Sequence, residues 1–84
     1  MTDISSVSFS ADILPLFSRS DIQHMNVFGV RLGQHEWMSH PANAKNVYSY
    51  LTGESTPRMP LGGPYWSQGQ LDLFARWIKT GYRP

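Results

Sequence analysis

Three histidines, His24, His35 and His40, with Asp21 and Glu36 close to them in the chain, are the side chains best suited to hold a metal or pass a proton. The run His35-Glu36-Trp37-Met38-Ser39-His40 comes within one residue of the His-Glu-x-x-His zinc motif. That motif needs its two histidines at i and i+4, so that both point at one ion. Here they are five apart, about 140° around a helix, and hydrolytic zinc chemistry is set aside on geometry. Glu36 and His40, at i and i+4, do share a helical face. Two readings of the histidines stay open: a looser metal site joining His24 to one of the later two, or surface and hydrogen-bonded histidines with no ligand. Nucleophilic catalysis has no support, since the chain has no cysteine and no Gly-x-Ser-x-Gly. Gly62-Gly63 is followed by Pro64, which lacks the N–H that a phosphate-cradling loop uses. With no convergent polar set, the sequence reads as that of a non-enzyme, at most a non-catalytic subunit of an enzyme complex.

The elements that must position these residues read as helices. Ser10 is a candidate N-cap for a first helix over about residues 11–23, with Asp12 in its first turn and Pro15 as a restart or kink. Residues 26–34 read as an extended connection between glycines, and 35–40 as a short helical turn. Pro41 then pushes His40 out of the helical region and opens the next helix. In that helix Ala44, Val47, Tyr48 and Leu51 fall at helical spacing, and Gly53 stops it. A Gly- and Pro-rich loop, 54–64, leads to the best-signalled element. There Ser67 and Gln70 have capping-box spacing, Leu71, Phe74, Trp77 and Ile78 form an apolar stripe, and Gly81 ends the helix. Trp66 reads either as a hydrophobic staple toward Leu71 or as an exposed interface anchor. The expectation is one all-α domain over residues 1–84, of three to four helices with long ordered loops, residues 1–7 being an amino-terminal extension.

Composition narrows the function. Eighty-four residues lie near the lower limit for an unstapled core, and no disulfide is possible. Three Trp, four Tyr and four Phe supply large apolar groups instead. Hydrophobic residues make up 40 % and charged residues 15 %, which is globular, and low enough in charge to favour a surface hidden against a partner. A net charge of +1 gives no case for nucleic acid or an anionic membrane. No apolar run approaches the roughly 18 residues of a membrane span. Met1–Val7 has neither the basic nor the apolar region of a leader, so the expected location is cytoplasmic.

Three stretches together carry a resemblance: Ser8-Phe9-Ser10-Ala11-Asp12-Ile13 with Phe17; Asn43, Ala44, Val47, Tyr48 and Leu51; and the region 59–83 with its Trp66-Ser67, Gln70-Leu71, Phe74, Trp77-Ile78 and Gly81-Tyr82. In order and spacing they resemble the planctomycete-type cytochrome-c-like family over roughly residues 7–83. That family attaches haem at a Cys-x-x-Cys-His motif after its first helix. Here the same place reads Asp21-Ile22-Gln23-His24-Met25, while Arg58-Met59-Pro60 resembles the family's axial-methionine segment. The resemblance implies a haem-free cytochrome-c-like fold, with Val27-Phe28 and Val30-Leu32 folding over the volume a haem would fill. It further implies an accessory or structural subunit of a larger protein, an oxidoreductase or biosynthetic enzyme, with no cofactor. Its contact face would comprise Asp21, His24, Met25, Arg58, Tyr65 and Trp66. The alternative is an electron-transfer or metal-binding protein that holds non-covalent haem or a metal through His24 and Met59.

Overall fold

Helix α4, Gln68–Lys79, is the element on which the other described segments converge. Its start is fixed by the capping box read from the sequence: Ser67 Oγ accepts from Gln70 N at 3.2 Å, and Gln70 Oε1 accepts from Ser67 N at 2.8 Å. Two backbone donors that a helix start leaves unpaired are thereby satisfied. The structure, a computed structural model, describes residues 7–60 and 64–84. Residues 1–6 of the expected extension and the Leu61-Gly62-Gly63 part of the loop lie outside them. Val7, assigned to that extension, is buried in the core.

The fold is all-α. Before α4 come α1, Arg19–Asn26, α2, His35–Met38, and α3, Pro41–Thr52. Among the described residues there is no strand, only an isolated parallel bridge between Ser8 and Arg83. Helix α4 packs on α3 and on the opening turn of the chain, and α2 packs on α3. Asn43 Nδ2 donates to Trp37 O at 2.9 Å, closing the corner between α2 and α3.

The first third of the chain departs from the expected single helix over 11–23. Phe9–Ile13 forms a wide turn in which Leu14 N donates to Phe9 O, capped by Ser8 and not by Ser10. Ala11 N donates to Ser8 Oγ at 3.1 Å, and Asp12 Oδ2 accepts from Ser8 N at 2.9 Å. Leu14–Leu16, with Pro15 inside it, tightens to a 3₁₀ turn, and Phe17 is extended at φ −90°, ψ 134°. The chain restarts as α1 with Ser18 as its cap, its Oγ accepting from Asp21 N at 3.1 Å.

A second departure follows directly. Helix α1 runs on to Asn26, and residues 27–30 close it: Gly29, at φ 79°, donates to Asn26 O, and Val30 N donates to Met25 O. This is the Schellman pattern, which needs a left-handed residue where glycine costs least. The same pattern ends α4, where Gly81 N donates to Ile78 O and Tyr82 N to Trp77 O.

The core is a chain of aromatic rings centred on α4. Phe17 lies 5.0 Å from Trp66, Trp66 6.0 Å from Phe74, and Phe74 5.7 Å from Trp77, centroid to centroid. Such tilted and edge-on pairs add to the area they bury. Trp77 is fully buried, and its Nε1 donates to Arg83 O at 2.8 Å. Arg83 O also accepts from Phe9 N at 2.8 Å, so one carbonyl ties the carboxyl-terminal segment to both α4 and the opening turn.

Candidate functional site

An open, strongly apolar cavity of about 390 Å³ lies between α1 and α3. Its position follows from local structure. Helix α1 presents Asp21, His24 and Met25 to it, residues three and four apart on one face. The Schellman turn brings Val30 back over Met25 and leaves Phe28 at the rim, 68 % exposed. From α3 come Asn46, Val47, Tyr50 and Leu51, the next turn of the stripe that buries Val47 and Leu51. Trp37 of α2 and the buried Phe17, Leu32 and Trp66 complete the walls.

Met59 reaches the cavity because the 57–60 segment folds back on the end of α3. Met59 N donates to Tyr50 O at 2.9 Å, and Arg58 Nε donates to Leu51 O at 3.3 Å. Gly53 permits this return. It turns α3 off at φ 88°, and a Cβ there would sit 3.1 Å from Arg58 Cδ. The Arg58 guanidinium lies 4.4 Å from the Tyr65 ring centroid, a cation–π pair outside the cavity. A second, smaller hollow beside it is lined by Tyr65 and shares Asp21, Pro60 and Trp66 with the first.

The residues singled out in the sequence therefore fall into two groups. Asp21, His24, Met25, Met59 and Trp66 line one cavity, and Arg58 and Tyr65 pair at its border. His24 is exposed, its ring 5.5 Å from that of Phe28. Trp66 is not an exposed anchor. At 8 % exposure it packs on Phe17 and Phe74, because the residue before a helix cap points toward the core that the helix covers.

The other two histidines sit elsewhere. His35 donates through Nε2 to Tyr82 O at 2.6 Å, and its ring contacts Phe9 and Trp77. His40 is exposed at the N-cap position of α3. His35 thus ties α2 to the carboxyl-terminal segment, His40 makes no side-chain cap bond, and among the described residues no group of three or more His, Asp, Glu or Cys side chains converges on a point. The expectation that Val27-Phe28 would fill the cavity is overturned. Val27 is 81 % exposed and lies outside the cavity lining, and Phe28, 68 % exposed, reaches only its rim, because the helical continuation of α1 runs past the cavity before the glycine reverses the chain. Val30 and Leu32 do form part of the wall.

Sequence reasoning missed Tyr50, Asn46 and Trp37 as cavity residues. Tyr50 and Asn46 lie beside the apolar stripe of α3, a signal that the 3.6-residue period contains once α1 is known to face α3. No helix among the described residues is long and apolar enough to cross a membrane. No family model matches the chain, and no curated protein or solved structure matches it either.

Proposed function

We propose that this chain is a haem-free cytochrome-c-like accessory subunit that binds a larger protein, an oxidoreductase or a biosynthetic enzyme, in the cytoplasm. The observation that carries the reading is the exposure of Val27, Phe28 and Tyr65 around an open apolar cavity, on a chain of 84 residues. Large exposed side chains grouped about a concavity mark a contact surface, whereas scattered ones do not. The partner would cover the rim formed by the α1–α2 turn and the Arg58–Tyr65 pair. Native mass spectrometry of the untagged protein from its own cell tests this. A stoichiometric complex with one larger protein, lost in Val27→Ser/Phe28→Ser while the variant stays folded, is the expected result. A monomer in both forms overturns the reading.

A second reading rests on a separate observation, that His24 and Met59 line the same cavity. An imidazole and a thioether are the axial donors of c-type haem, and apolar walls suit a macrocycle. The chain has no cysteine, so any haem there is held without thioether bonds. Haem would supply one-electron chemistry, and the protein's part is to donate those two ligands and exclude water. A Soret band in the purified protein, abolished by His24→Ala, is the signature expected. A folded, colourless protein that takes up no added haemin excludes it.

A further inference from the structure

We infer that the cavity is a site for a small organic cation with an aromatic or otherwise apolar body, of the arylalkyl-ammonium kind. The inference goes beyond the accessory-subunit reading and needs no partner. At about 390 Å³ the cavity falls in the range of small-molecule sites. Its lining is almost wholly apolar, so the body of the ligand must be apolar too. Aromatic rings from four segments reach it, Phe28, Trp37, Tyr50 and Trp66 among them. The faces of such rings attract positive charge, and their edges and the Met25 and Met59 thioethers make favourable contacts with a ligand ring.

The sign of the ligand's charge comes from Asp21. Among the described residues, Asp21 is the one carboxylate that lines the cavity. It is half-buried in the first turn of α1, where its backbone N–H is already satisfied by Ser18 Oγ. An ionised carboxylate only accepts hydrogen bonds, so the complementary group is a donor, and a charged donor gains most. Tyr50 and Asn46, from α3, offer neutral polar contacts that fix orientation without selecting charge. An anionic ligand would bring its charge beside Asp21, which opposes it.

The test uses the full chain and three probes of one shape: 2-(1-naphthyl)ethylamine as its ammonium ion, 2-(1-naphthyl)ethanol, and 1-naphthylacetate. Each is titrated into ¹⁵N-labelled protein and followed through backbone amide shifts. The expected result is saturable shifts at residues 21–25, 46–51 and 59, with affinity in the order ammonium, alcohol, carboxylate. Asp21→Asn should lower ammonium affinity about tenfold, the scale of one charge-assisted bond, and leave the alcohol unchanged. The spectrum of Asp21→Asn itself reports that the fold is intact. Three results overturn the inference: no saturable shift with any probe, equal affinity for ammonium and carboxylate, or an ammonium preference that survives Asp21→Asn. Binding of haemin with no ammonium binding also overturns it, and supports the second reading above. Loss of the native complex by Val27→Ser, a residue outside the cavity lining, bears on the accessory reading alone.

Discussion

Replacing Trp77 by Phe is the sharpest probe of what holds this fold together. The indole is fully buried and its ring lies 5.3–5.7 Å from those of Phe9, Phe74 and Tyr82. Two contributions are lost. The first is the Nε1–H bond to Arg83 O, worth about 0.5–1.5 kcal/mol net. The lower half of that range applies, because Arg83 O keeps its bond from Phe9 N and is not left without a donor. The second is the volume of the missing five-membered ring, which costs transfer energy plus about 24 cal/mol for each Å³ left empty. Together they come to about 2–3 kcal/mol, below the 3–5 of a full truncation to Ala. A domain of this size has only about 4–13 kcal/mol in total at typical stability per residue. At roughly 4–8 °C for each kcal/mol, Tm should fall by about 10–20 °C. Urea denaturation followed by far-UV circular dichroism measures the loss. A change under about 1 kcal/mol, the size of an ordinary surface substitution or little more, would refute both the burial and the hydrogen bond assigned to Trp77.

Smaller effects are expected elsewhere. Ser67→Ala removes one side of the capping box and should cost about 1 kcal/mol in the same urea measurement, while Ser10→Ala, which caps nothing, should cost under about 0.5. Gly53→Ala places a Cβ at φ 88° and 3.1 Å from Arg58 Cδ. It should destabilise by about 1–2 kcal/mol and shift the Met59 amide resonance, since Met59 is hydrogen-bonded to α3 through that return. Val27→Ser/Phe28→Ser should change stability by no more than about 0.5 kcal/mol, because Val27 is 81 % and Phe28 68 % exposed, the latter meeting only the cavity rim and the His24 ring. A larger loss on urea denaturation would show that they pack inward.

The sequence was most legible where one signal was repeated by another. In α4 the apolar stripe, the Ser67–Gln70 box and Gly81 agree, and the helix runs where they place it. In α3 Pro41 and Gly53 bracket the stripe in the same way. The first third is ambiguous in the sequence because its signals compete. Ser8, Ser10 and Ser18 are all possible caps, and Pro15 is compatible with either a kink or a tight turn. The choice fell to burial of Phe9, Ile13 and Phe17, which depends on α4 being in place. Gly29 is a stop signal of the same kind as Gly53, yet the apolar residues on both sides of it gave a strand-like appearance. Asp21, His24, Met25 and Met59 were legible as candidates, and the structure brings them to one cavity. That the cavity stays open was not legible. Empty volume is a property of how segments far apart in sequence meet, and no local pattern encodes it.

The bridge between Ser8 and Arg83 has a mechanical consequence. Phe9 N and Arg83 O are 2.8 Å apart, so the path through the described chain enters and leaves at nearly one point. A unit with adjoining ends can sit inside a surface loop of another polypeptide without forcing the two sides of that loop apart. Tension applied across the bridge would load the Arg83 carbonyl in shear, because the two segments run parallel, and with it both the opening turn and the Trp77 indole of α4. The unit is thus suited to genetic insertion into a host domain, with the load at its seam carried through one carbonyl shared by the opening turn and α4.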